Sequence, residues 1–128
     1  MSKRLYGLRG ATGALNTKED ITKNVCEMCN KVFTENNVKS EDIVSIQFTV
    51  TKDLDCMNPA AALRRGNPCI DVSKCALFCS QEPDIAGSPD HMVRLLLTVY
   101  LEEGSELKYA YVNGGEKLRP DFAKKIIF

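Results

Sequence analysis

The segment that most restricts this chain is Met92–Leu101, its longest apolar run, which carries a guanidinium near its start at Arg94. The run is too short to span a bilayer and is rich in Leu, Val and Tyr, which predicts a buried strand covered on one or both faces. Arginine cannot be neutralised in a protein, so Arg94 must carry its charge into or beside the core. A charge there needs an anion or a polar cavity. The question set by this strand is which anion Arg94 meets.

The remainder of the chain limits the answers. With 128 residues it has the length of one domain, and 17 basic residues balance 17 acidic ones. No overall field favours nucleic acid or a membrane surface, and neither is expected as a partner. The start Met1–Tyr6 has no apolar signal core, so the cytoplasm is the expected compartment. Six cysteines (26, 29, 56, 69, 75 and 79) include the CxxC pair Cys26 and Cys29. A zinc site would need a second pair at matching spacing, and Cys69, Cys75 and Cys79 do not provide it. Cys29 falls on an apolar helical face, where free cysteine packs as a small hydrophobe. No metal and no cofactor is expected.

Along the chain, Leu5–Arg9 reads as a first strand and Arg9–Gly13 as a glycine-containing turn. Asn16 with Glu19 three residues later fits a capping box. Ile21, Val25, Met28, Cys29, Val32 and Phe33 then recur at helical spacing over about five turns, ending near Asn36 and Asn37. Ser40–Asp42 suits a single turn. Val44, Ile46, Phe48 and Val50 alternate with Ser45, Gln47, Thr49 and Thr51, a strand with one apolar and one polar face. Asn58 caps a short second helix, Pro59 takes its first position, and Gly66 stops it after Arg64 and Arg65. Cys75–Cys79 reads as a buried strand, with Glu82 at the rim of the sheet just beyond it. After the Arg94 strand, Leu107–Val112 reads as another strand containing Tyr109 and Tyr111. Nothing divides the chain, so 1–128 is expected to form one α+β or α/β domain: a mixed sheet, one long helix, one short helix, and a flexible tail over 122–128.

Four arginines (Arg9, Arg64, Arg94 and Arg119) lie beside turns, helix ends or the apolar strand, with one rim carboxylate, Glu82. A Cys79–His91 dyad has nothing local to orient it. Arginines beside a tyrosine suit a small carboxylated anion, because guanidinium gives bidentate, charge-assisted hydrogen bonds.

Arg9-Gly10-Ala11-Thr12, Cys79-x-x-Glu82, Arg94, Tyr111 and Leu118-Arg119-Pro120-Asp121, taken in this order and spacing, resemble the small monofunctional chorismate mutases. The resemblance covers nearly the whole chain and implies a homotrimeric pseudo-α/β barrel with sites at subunit interfaces. It implies an isomerase of aromatic amino-acid biosynthesis, in the shikimate pathway, that turns chorismate into prephenate by a concerted Claisen shift. It also implies the residue roles. Arg94 would face the ether oxygen, Glu82 would accept from the ring hydroxyl, and Cys79 would touch the same region. Arg9 and Tyr111 would bind the side-chain carboxylate, and Arg64 would come from a neighbouring subunit. Leu118 and Arg119 would cover the site, and Asn58, Ala60 and Phe78 would also contact substrate. Asn58, Ala61 and Phe78 depart from the residues usual in that family. The departures at Asn58 and Ala61 motivate an alternative, a non-catalytic trimeric scaffold that binds a small dicarboxylate. On the enzymatic reading Arg94 has no permanent partner within the protein.

Overall fold

The computed structural model describes residues 2–123, so most of the expected tail, from 124 on, lies outside the described residues. The elements in chain order are β1 (Lys3–Gly13), α1 (Lys18–Glu35), β2 (Ile43–Val50), α2 (Pro59–Arg65), β3 (Leu77–Gln81), β4 (Met92–Glu102), β5 (Ala110–Val112) and α3 (Pro120–Ala123). They make a single domain with a five-stranded mixed sheet in the order β3-β2-β4-β1-β5. The Arg94 strand is thus the middle of the sheet, antiparallel to β1 on one side and to β2 on the other. Both outer strands run parallel to their neighbours, β5 to β1 and β3 to β2.

The core lies between the sheet and the two longer helices. Ile21, Val25, Met28, Cys29, Val32 and Phe33 of α1 and Ala62 and Leu63 of α2 are buried. They meet Leu8, Ile46, Phe48, Leu95, Leu97 and Val99, which the period-two strand geometry aims to the same side. Each helix therefore follows from its apolar stripe, and its packing supplies most of its stability.

The other face of the sheet is open. Leu5, Phe78, Leu96 and Tyr100 are all more than 40% exposed. The expectation that the strands around Arg94 and Cys79 are buried is met on one face only. β3 is an edge strand with Phe78 outermost, because only β2 pairs with it.

Four local expectations change. β1 runs straight through the expected turn, since Gly10 is there for close approach: a Cβ on it would lie 2.9 Å from the Ala110 carbonyl and 3.2 Å from Met28. Thr17, not Asn16, caps α1, accepting from the Asp20 amide at 3.0 Å. Asn16 Oδ1 instead accepts from the amides of Asp55 and Cys56. Val44 leaves the apolar face at an irregularity between Ile43 and Ser45 and is exposed. Only Ala110–Val112 of the expected 107–112 strand pairs; Lys108 bonds instead to the Asn36 side chain at the end of α1.

Candidate functional site

The register of the sheet lines up the chemistry. Across all five strands, Tyr111, Ala11, Arg94, Thr49 and Ser80 are successive partners in one row. The row two residues away joins Arg9, Leu96, Gln47 and Phe78. Both rows point to the open face, and side chains two apart on a strand share a side, so this placement follows from alternation alone. Together they floor a cleft of about 430 Å³ to which Leu118 and Arg119 add a wall. That wall comes close because Gly115, in the turn Gly115–Lys117, sits against Ala11; a Cβ there would lie 2.4 Å from the Ala11 carbonyl oxygen.

Arg94 is not a core charge. Its side chain is half exposed, and Glu82 holds it through two parallel hydrogen bonds, Nε to Oε1 at 2.9 Å and Nη2 to Oε2 at 3.0 Å. This corrects the expectation that Arg94 has no partner in the protein. Glu82 stands one residue beyond β3, whose neighbour is β2 rather than β4, so its side chain crosses β2 to reach Arg94. It crosses at Thr49, whose hydroxyl donates to Glu82 Oε1. Burial pushes the Glu82 carboxyl up, but the Thr49 hydroxyl and the Arg94 guanidinium outweigh it and hold the group below its ordinary range. Glu82 is ionised at neutral pH. The Nε–Nη2 edge of Arg94 is thereby occupied, while no described residue accepts from Nη1.

Arg9 projects from β1, with its guanidinium 5.2 Å from the Tyr109 ring centroid. Burial raises the Tyr111 phenol, while the positive charges of Arg9, Arg119 and Arg94 partly counter it. Tyr111 stays a neutral hydroxyl with three guanidinium groups around it. Arg119 holds Asp121 through Nε at 3.1 Å and Nη2 at 2.7 Å.

The chain thus brings Arg9, Phe78, Arg94, Tyr111, Leu118 and Arg119 to one cleft, with Glu82 behind Arg94. It does not bring the others there. Cys79 alternates to the core side between Phe78 and Ser80, and burial raises its thiol, so it is not a thiolate. Ala60 and Arg64 belong to α2 and Asn58 immediately precedes it; α2 packs on α1, β2 and β3. Asn58 caps that helix through the Ala60 amide at 2.8 Å, Ala60 is buried, and Arg64 is exposed at its end. His91 forms no dyad with Cys79; its Nδ1 lies 3.4 Å from both Asp53 and Asp90. Cys26 and Cys29 are free thiols on the buried side of α1. Gln47, Thr49 and Ser80 are cleft residues that the motifs did not flag. For Gln47 and Thr49 the signal was present, since both lie on the polar face of an alternating strand.

Among the described residues the arrangement has three converging cations, a neutral phenol and an acceptor carboxylate, with no activated nucleophile. It can bind and orient a polyanion and stabilise negative charge that develops near Arg94. Comparison with known proteins agrees in kind. Residues 5–122 match the chorismate mutase type I family. The chain is 31% identical over 123 residues to the chorismate mutase AroH of Bacillus subtilis, spanning 93% of each. It is 28% identical over 120 residues to the chorismate mutase AroH of Thermus thermophilus, spanning 89% of this chain and 95% of that one. A solved chorismate mutase from Clostridium thermocellum superimposes with a TM-score of 0.77 at 32% identity, covering 88% of this chain and 98% of the other.

Proposed function

We infer where the reaction runs from one premise: this chain belongs to the chorismate mutase type I family and is a chorismate mutase, an isomerase. The reaction proposed for the cleft is the concerted rearrangement of chorismate to prephenate, in which a C–O bond breaks as a C–C bond forms. It moves no proton and needs no nucleophile, which suits a cleft whose carboxylate, Glu82, is held as an anion by Arg94 and Thr49 and whose nearest thiol, Cys79, faces the core. Such a site contributes by selecting the compact conformer and by favouring the charge distribution of the transition state.

The observation that carries the assignment is the orientation of Arg94. With Nε and Nη2 held by Glu82, the free Nη1 is the donor for the ether oxygen, where negative charge grows. Glu82 Oε2 accepts from the ring hydroxyl. Arg9 and Tyr111 hold the side-chain carboxylate, Phe78 and Leu118 bound the ring, and Arg119 closes the cleft. Cys79 is given no role in the cleft, since its thiol faces the core. Because Arg94, Arg9, Glu82 and Tyr111 are all in place, the departures at Asn58 and Ala61 bear on affinity, and the non-catalytic scaffold is not favoured.

The proposed assembly is a homotrimer with sites at its seams. Two features support it: the open sheet face with exposed Phe78, Leu96 and Tyr100, and the position of α2 away from its own cleft. There Asn58, Ala60 and Arg64 serve the neighbouring subunit's substrate. The proposed compartment is the cytoplasm, supported by the free state of all six cysteines; no helix among the described residues is long and apolar enough to cross a membrane. The product feeds aromatic biosynthesis.

The test is the loss of chorismate absorbance with purified Arg94→Ala. One oxyanion donor is worth ~10²–10³ in rate, so removing the full charge should lower kcat by more than about 10³ with the fold intact. Turnover near the parent level in that variant would overturn the assignment.

A further inference from the structure

We propose that Thr49 is a positioning residue for this reaction: its hydroxyl fixes the plane of the Glu82 carboxylate, so that Arg94 is oriented and Oε2 is the oxygen left open to substrate. The inference rests on the roles given above to Glu82 and Arg94.

Two neighbouring residues of β2 hold Glu82 at both ends. Its backbone amide donates to the Val50 carbonyl at 2.9 Å, and its carboxylate accepts from the Thr49 hydroxyl. Between those points lie three rotatable bonds, which the backbone contact alone would not restrain. Thr49 is itself stiff, being β-branched and in a strand flanked on both sides by paired strands. Its register partner is Arg94, and it lines the cleft, so the hydroxyl donates to the same oxygen, Oε1, that accepts from Arg94 Nε.

The acceptor count gives the consequence. A carboxylate offers about four lone-pair sites. Oε1 uses two, for Thr49 and Arg94 Nε, and Oε2 uses one, for Arg94 Nη2. One acceptor site remains, on Oε2. Without the Thr49 hydroxyl, Oε1 is equally open, and the carboxylate can rotate or offer either oxygen to the ring hydroxyl.

The experiment compares Thr49→Val, which has nearly the same shape without the hydroxyl, with Thr49→Ser, which keeps it. Partners behind a first layer of functional groups typically contribute about 10–100-fold, so T49V should lower kcat by about that factor while KM changes little. Loss of a donor to the carboxylate should also move the acid limb of the kcat/KM profile to higher pH. T49S should recover most of kcat and the original limb. Thr49→Ala reads the same quantities if the valine variant fails to fold. Parent-level kcat and an unmoved acid limb in T49V, with R94A and E82Q inactive, would overturn the role of Thr49 alone. Turnover retained in R94A and E82Q would overturn the underlying assignment instead.

Discussion

At the scale of single residues the molecule turns on the Glu82–Arg94 pair. The sequence makes the charge of Arg94 conspicuous and leads to a search for its anion outside the protein. The first anion is internal. It was hidden because Glu82 follows β3 and Arg94 lies on β4, strands that do not touch, and only the β3-β2-β4 order brings one across to the other. The pair also gives a linkage prediction. Glu82 is held below its ordinary carboxyl value in the folded chain, so its contribution to stability is fully present above the unfolded value, about 4.3, and is lost as pH falls through the lowered folded value. Because the Arg94 side chain is half exposed, that contribution is set at about 1 kcal/mol. Urea unfolding of the parent and Glu82→Gln should differ by about that amount near pH 7, and the gap should narrow below pH ~4. A gap that stays constant into acid would mean that Glu82 is not stabilised as an anion.

At the scale of elements, alternation made β2 readable and helical spacing made α1 readable, because each has a clear apolar side, while end signals marked α2 and a continuous apolar run marked β4. What escaped was set by neighbours. Asn16 and Thr17 are both good caps, and the choice fell to Thr17 because Asn16 is engaged with Asp55 and Cys56, 39 and 40 residues away. Gly10 reads as a turn residue until Met28 and the Ala110 carbonyl are known to press on it. Gly115 is the element-level device that matters for the cleft, since its turn lies directly on Ala11 and carries Leu118 and Arg119 inward. In Gly115→Ala the added methyl meets backbone, which cannot swing aside, so the turn must lift. We expect KM for chorismate to rise by about tenfold, with kcat less affected, because uniform binding contacts are lost rather than those to the ether oxygen. Steady-state kinetics check this, and an unchanged KM would mean that the Leu118–Arg119 wall does not hold substrate.

At the scale of the whole molecule the unsolved half of the site is α2. The ordered motifs carried the family and most of the cleft, but they cannot say whose α2 serves which cleft. One chain buries Ala60, caps α2 with Asn58, and leaves Arg64 exposed outside its own cleft. If Arg64 acts in a neighbour's site, then Arg64→Ala and Arg94→Ala damage different halves of the same active unit. Each homotrimer should be nearly inactive. Unfolding and refolding the two together should form mixed trimers in which a cleft from the R64A chain, with its Arg94 intact, meets α2 of the R94A chain, with its Arg64 intact. For a closed ring with one sense of contact and random 1:1 mixing, about a quarter of the sites regain both arginines. Activity should therefore recover to about a quarter of the parent level per subunit, with parent-like KM. If Arg64 instead served its own cleft, every site in every mixed trimer would lack one arginine and mixing would restore nothing. The outcome separates a seam site from a self-contained one without any structure of the assembly, and sedimentation of the same samples reports whether the mixed species is trimeric.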